Sequence, residues 1–198
     1  MTALKRKEEM TDVEGIVRGD HKAFERIYRR YRDHVYGFAY RMVNSQRLAE
    51  EVTHEAFLVL IQYPQRYDAA RGSVLTFLCA VARNHIMHHF RANKHEVESI
   101  FDDDEVGLMD LENVSERDPL ANLLDQEMAA EVSRAVEALP VLLREAVVLR
   151  EFQDLSYEEI ADVAGVSVNT IKVRLHRGRS ALARALAPYI YQQRRLFS

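Results

Sequence analysis

Between Ser156 and Leu186 the chain reads SYEEIADVAGVSVNTIKVRLHRGRSALARAL, and it carries two helix starts so close together that it must turn back on itself there. Ser156 followed three residues later by Glu159 is a capping box, in which each side chain satisfies a backbone N–H that the first helical turn leaves without a partner. Gly165 can take the left-handed turn that ends this helix, and Ser167 with Thr170 opens the next. Ala161 is small enough for the two helices to cross closely, while Ile160, Val166, Ile171 and Leu175 fill the space between them. The second helix carries Asn169 and Thr170 at its start, then Lys172, Val173, Arg174, His176, Arg177 and Arg179. That donor-rich face suits base edges and phosphates in a major groove. A helical hairpin with a solvated basic face is the plainer alternative.

The remaining periodicity is also helical. Phe24, Ile27, Tyr28, Tyr31, Val35, Phe38, Ala39 and Met42 recur at three and four and form one stripe, with Asp20 placed to cap it. A second helix is expected from Ser45 to Tyr63, stopped by Pro64, and a third from a Ser73 cap to about Phe90. Helical pattern resumes at Asp118-Pro119, runs to Leu139, breaks at Pro140, and returns over Val141 to Glu151. No strand-like alternation or internal repeat is visible. The expected fold is all-α: a first helical domain over 11–92, an acidic flexible linker over 93–117, and a helix-turn-helix domain over 118–187, with the last helix ending soon after Ala187.

The net charge of −4 conceals a strong segregation of sign. Residues 1–92 hold 15 basic and 11 acidic side chains, 93–125 hold 2 and 11, and 126–198 hold 10 and 9; residues 167–198 carry seven basic groups and no acid. Local basic surfaces of this kind attract phosphate whatever the net charge. Cys79 is the one cysteine and has no partner for an internal disulfide. The start, MTALKRKEEM, lacks the apolar core of a signal peptide, and no stretch reaches the ~18 apolar residues of a spanning helix. A cytoplasmic protein without direct membrane insertion is expected.

At residues 138–186, ALPVLLREAVVLREFQDLSYEEIADVAGVSVNTIKVRLHRGRSALARAL resembles the C-terminal promoter-binding domain of extracytoplasmic-function sigma factors. DHKAFERIYRRYRDHVYGFAYRMV, AEEVTHEAFLVLI and LTFLCAVARNHIMHHFR resemble the same family's first domain, in the same order, so that about nine-tenths of the chain is covered. The resemblance implies a non-catalytic initiation subunit that directs bacterial RNA polymerase core to promoter DNA, with an anti-sigma factor as a further partner and no cofactor. It implies docking on the polymerase clamp helices through Glu50, Glu51, His54, Glu55 and Leu58, whose helical spacing leaves an acidic, partly apolar face. It implies recognition and melting of the minus-ten element by Arg66, Tyr67, Arg71, Arg83, Asn84, His88 and Arg91, since single-stranded bases need pockets, stacking and a basic track. Tyr67 could equally pack against the following helix. The recognition-helix residues named above would read the minus-thirty-five duplex, Arg174 being able instead to turn inward as a structural group.

Three positions depart from the family's pattern: Phe77 stands where Trp is usual, His88 where Asp is common and His54 where Gln is common. Phe77 keeps an apolar anchor, whereas His88 changes the charge beside the proposed DNA face. His85 and His89 are four apart and could chelate from one helix face, yet no third ligand is identifiable and no metal site is expected. Cys79, within VLTFLCAVA, reads as a small core residue. The acidic linker could cover the basic recognition helix when polymerase is absent. No glycine-rich phosphate loop, nucleophile elbow or HExxH motif supports an enzyme. The competing reading is a dimeric helix-turn-helix regulator whose N-terminal helices sense a ligand; a third is a protein that only sequesters partners.

Overall fold

A computed structural model describes the backbone of residues 3–92 and 121–196 and the side chains of 6–92 and 128–189. The linker expected over 93–117 and the Asp118-Pro119 helix start lie outside the described residues. Every regular element described is helical: α1 (Ala3–Val17), α2 (His21–Val43), α3 (Gln46–Gln62), a 3-10 turn (Pro64–Arg66), α4 (Val74–Ala92), α5 (Ala121–Glu137), α6 (Val141–Val147) widening into a π turn (Val148–Phe152), α7 (Tyr157–Ala164) and α8 (Val168–Leu196).

The helix starts fall where short polar side chains can serve orphan N–H groups. Asp20 accepts from the Lys22 N–H at 2.9 Å, Ser45 from Leu48 at 3.4 Å and Ser73 from Thr76 at 3.1 Å. Between them the apolar stripe of α2 turns inward, and Ile27, Tyr31, Phe38 and Met42 pack with Leu60 of α3 and Leu78 and Ile86 of α4 at 2% exposure or less. Cys79 is fully enclosed in this core.

α1 lies largely ahead of the expected domain start and adds Val13 and Ile16 to the core. It also brings in Glu9, which has no exposed surface. The Tyr31 hydroxyl donates to one oxygen of its carboxylate, and the first amide of α4, Val74 N–H, donates to the other at 3.1 Å. Burial is the main reason the Tyr31 hydroxyl is held above the usual tyrosine range, and Glu9 adds to it.

In the second half Leu149, Ile160, Ile171 and Leu175 form the centre of the core. The helix expected from Val141 to Glu151 is regular only to Val147; its last turn widens, and Asp154 then takes a left-handed φ of 53° before Leu155. The last helix runs to Leu196 with Pro188 inside it, well past the expected end.

The two halves touch along α2 and α4. Arg144 of α6 donates to the Met42 carbonyl of α2 at 2.7 Å, His34 Nδ1 meets Gln153 Oε1 at 3.2 Å, and Thr76 of α4 donates to Glu159 of α7 at 3.0 Å. Asn44 donates to Glu137 beside them.

Candidate nucleic-acid interface

The helix-turn-helix follows the caps in the sequence. Ser156 accepts from the Glu159 N–H at 3.2 Å while Glu159 accepts from the Ser156 N–H at 3.0 Å, closing the capping box. Gly165 has a φ of 68°, a conformation that carries little steric penalty only without a Cβ, and Ser167 then accepts from the Thr170 N–H at 3.1 Å. Ile171 and Leu175 point into the core, which turns Asn169, Lys172 and Val173 outward; Val173 is 44% exposed.

The basic residues of α8 do not share one environment. The Thr170 hydroxyl is engaged with Ser167 at 2.9 Å, and His176 and Arg177 are half-buried. Arg179 lies on Glu151, with its Nε and Nη2 at 3.0 and 2.6 Å from one carboxylate oxygen. Arg174 turns inward, its Nη1 3.6 Å from Glu145, and burial lowers its affinity for the proton. Of the eight residues expected to face duplex DNA, Asn169, Lys172, Val173 and Arg179 are exposed, whereas Arg174 is part of a buried cluster.

A cleft of about 280 Å³ opens beside the 3-10 turn. It brings together Arg66, Tyr67, Arg71 and Asn84, with Phe77 in its wall. Arg66 places its guanidinium 4.6 Å from the centre of the Tyr63 ring, leaving the cation at the rim. Tyr67 packs as well as lines: its ring meets Phe77 edge-on at 6.1 Å and its hydroxyl donates to the Gly72 carbonyl at 3.3 Å. Burial pushes this hydroxyl up to about 12, so it remains a neutral donor. His88 and Arg91 are exposed farther along α4, outside the cleft lining. Arg83 is held by Glu145 of α6.

On α3, Glu50, Glu51 and His54 are exposed and Glu55 and Leu58 half-buried on the same helix. Gln46 donates to Glu50 at 2.9 Å. A second groove of about 360 Å³ runs from Glu51 past Arg47 and Leu48 to His89 and Phe90. Among the described residues no three His, Cys, Asp or Glu side chains converge as metal ligands, and no helix is long and apolar enough to cross a membrane.

Sequence reasoning missed three participants. Asp162 and Val163 of α7 line the cleft opposite the first-half residues, a placement that no local pattern encodes. Glu145 is 1% exposed by its side chain and joins Arg83 to Arg174; a lone carboxylate inside the apolar run VLLREAVVL was its signal.

Residues 27–96 match the family model described as Sigma-70 region 2, and residues 129–182 match Sigma-70, region 4. RNA polymerase sigma-H factor of Pseudomonas aeruginosa is 30% identical over 196 residues, covering 94% of this chain and 98% of the relative. ECF RNA polymerase sigma-E factor of Escherichia coli is 32% identical over 192 residues, 92% of this chain and 98% of the relative. Two solved structures share the fold. One is the sigma factor RpoE from Bartonella quintana, solved with the anti-sigma factor NepR (TM-score 0.62, 20% identity, 84% of this chain and 98% of that one). The other is CnrH, solved with the cytosolic domain of CnrY (TM-score 0.66, 18% identity, 91% and 98%). With both sigma-70 regions present in order and near-full-length relatives at this identity, the chain belongs to the extracytoplasmic-function family of RNA polymerase sigma factors.

Proposed function

We propose that this chain directs bacterial RNA polymerase core to specific promoters and opens them, working in the cytoplasm and doing no covalent chemistry itself. The observation that carries the reading is the pairing, in one chain, of an aromatic-walled cleft, lined by Arg66 and Arg71 beside Asp68 and Asp162, with an outward-facing recognition helix. The cleft has the parts that capture of an unstacked base requires: Asn84 for a base edge, the Tyr67 and Phe77 rings as apolar wall, and Arg66 and Arg71 for phosphates. Asn169, Lys172, Val173, His176 and Arg177 would read the minus-thirty-five duplex, with Thr170 and Arg179 on the backbone. Glu50, Glu51, His54, Glu55 and Leu58 would dock on the polymerase clamp. The domains are taken as 11–92 and 118–187, the first extended upstream by α1. Both neighbours in fold were solved with partner chains named or described as above, which supports an anti-sigma factor as a partner here.

The test is reconstitution with bacterial core polymerase, followed by selection of promoters from a random duplex library. The expected result is co-elution on size exclusion, lost when Glu51 and Glu55 are both changed to Lys, and enrichment of a two-part sequence by the holoenzyme. A chain that stays apart from polymerase and instead binds palindromic duplex as a dimer would replace this reading with the regulator.

A further inference from the structure

The minus-ten cleft has two walls within the first half, and they join at one place. Arg66, Tyr67 and Arg71 come from the loop, Phe77 and Asn84 from the first three turns of α4, and residues 72–74 are the joint between them. Three side chains hold the backbone at this joint. The Tyr67 hydroxyl donates to the Gly72 carbonyl at 3.3 Å, the Ser73 hydroxyl accepts from the Thr76 N–H at 3.1 Å, and Glu9 accepts from the Val74 N–H at 3.1 Å. The first two belong to the cleft segment itself. Glu9 comes from α1, ahead of the residues 27–96 that match Sigma-70 region 2, and its other oxygen takes the Tyr31 hydroxyl of α2. We propose that Glu9 is a positioning residue for single-strand capture: it fixes the start of α4 against the frame of α1 and α2 and so sets the opening between the two walls. This rests on the promoter-directing reading, and adds to it a residue too deeply buried to touch DNA.

The chemistry of the group suits this role. Burying a carboxylate is costly, and apolar side chains would join three helices without that cost. What the two oxygens add is direction, because each holds one donor at a fixed place. The joint also transmits what Glu9 does. A Cβ at Gly72 would lie 3.0 Å from the Thr76 side chain, so the loop and the first turn of α4 are already in close contact, and a shift of one displaces the other. Burial keeps the Tyr67 hydroxyl in the cleft wall protonated, and the Glu9 carboxylate is near enough to add to that effect. Val13, one turn after Glu9 on the same face of α1, is buried as well but meets the core with an apolar side chain. It therefore separates the packing of α1 from the direction that Glu9 supplies.

The test compares Glu9→Ala, Glu9→Gln and Val13→Ala in holoenzymes reconstituted from the full chain, at a temperature where circular dichroism shows each variant folded. Two probes are used: a single-stranded oligonucleotide carrying the minus-ten element of a library-selected promoter, and a duplex carrying its minus-thirty-five element. If loss of the Glu9 bond leaves the productive joint populated about one time in ten, Glu9→Ala should bind the single strand about tenfold more weakly. Its co-elution with core polymerase and its affinity for the duplex should match the parent's. Glu9→Gln keeps an oxygen for the Val74 amide and can donate to the Tyr31 hydroxyl, and should restore single-strand affinity to within about twofold of the parent's. Val13→Ala should lower the urea midpoint and yet hold that affinity within about twofold too. Should Glu9→Ala not fold, Glu9→Asp, whose carboxylate falls one methylene short of the amide, carries the same expectation. Unchanged single-strand affinity in Glu9→Ala, no rescue by Glu9→Gln, or an equal loss in Val13→Ala would overturn the positioning role. A parent holoenzyme that does not prefer the selected strand over a scrambled one would overturn the promoter-directing reading instead.

Discussion

At Glu9 a fully buried carboxylate joins three helices that the sequence separates widely, taking Tyr31 22 residues and Val74 65 residues along the chain. It caps α4 from outside, serving one of the four N–H groups that a helix start leaves orphaned. Glu9→Ala would leave the Val74 amide buried and unpaired and take the carboxylate away from the Tyr31 hydroxyl, and should cost about 2–3 kcal/mol, read as a lower urea midpoint with an unchanged slope. Nothing local signals this role: Glu9 sits in the charged run KRKEEM, whose pattern is that of a solvated terminus, and only the tertiary path of α1 reveals it. Cys79 shows the opposite case, since its apolar surroundings VLTFLCAVA already mark it as core. Burial pushes its thiol up to about 12. The native thiol should thus resist iodoacetamide at pH 8 and react fully in urea. An unfolded thiol ionises from about pH 8.5, before the native one, so this group's contribution to stability is complete below that pH and falls as pH rises above it.

At the scale of elements, the turn chemistry was legible because it is local. Asp20, Ser45, Ser73, Ser156 and Ser167 each act on an amide two or three residues away, and Gly165 turns where its φ requires it. The widening of α6 into a π turn and the run of α8 through Pro188 were not legible, because each depends on what the helix packs against or leaves exposed. Pro188 is exposed, so the carbonyl it cannot bond can turn to water, and the helix continues. Gly178 marks where α8 crosses α6 closely: a Cβ there would lie 2.6 Å from Val147 Cγ2, on a side chain with no exposed surface and no room to yield. Gly178→Ala gains about 1 kcal/mol of helix propensity but should lose about 1–3 kcal/mol to overpacking. A net fall in the thermal midpoint is expected, and a rise would mean that the two helices can move apart at no cost.

At the scale of the whole molecule, the sequence legibly divided into two helical halves with different charge, but not how those halves meet. Their contact is made by side chains to which the sequence reading gives other roles or none: Arg83 as a DNA contact implied by the resemblance, Glu159 as a cap, and Arg144 with no role assigned. Arg144 is the most informative of them. Its guanidinium donates to the Met42 carbonyl at the end of α2, and also to the Glu137 and Leu139 carbonyls at the end of α5, so one cation serves the negative ends of helices from both halves. Through loss of its bond to Met42, Arg144→Ala should remove about 2 kcal/mol from the contact between the halves, a shift of about 30-fold toward separated halves. Far-UV circular dichroism should be unchanged while small-angle X-ray scattering shows a larger radius of gyration than the parent's. An unchanged radius would mean that the face of α7 against α4 holds the halves by itself. In that case the polar rim sets only the register in which the two halves meet.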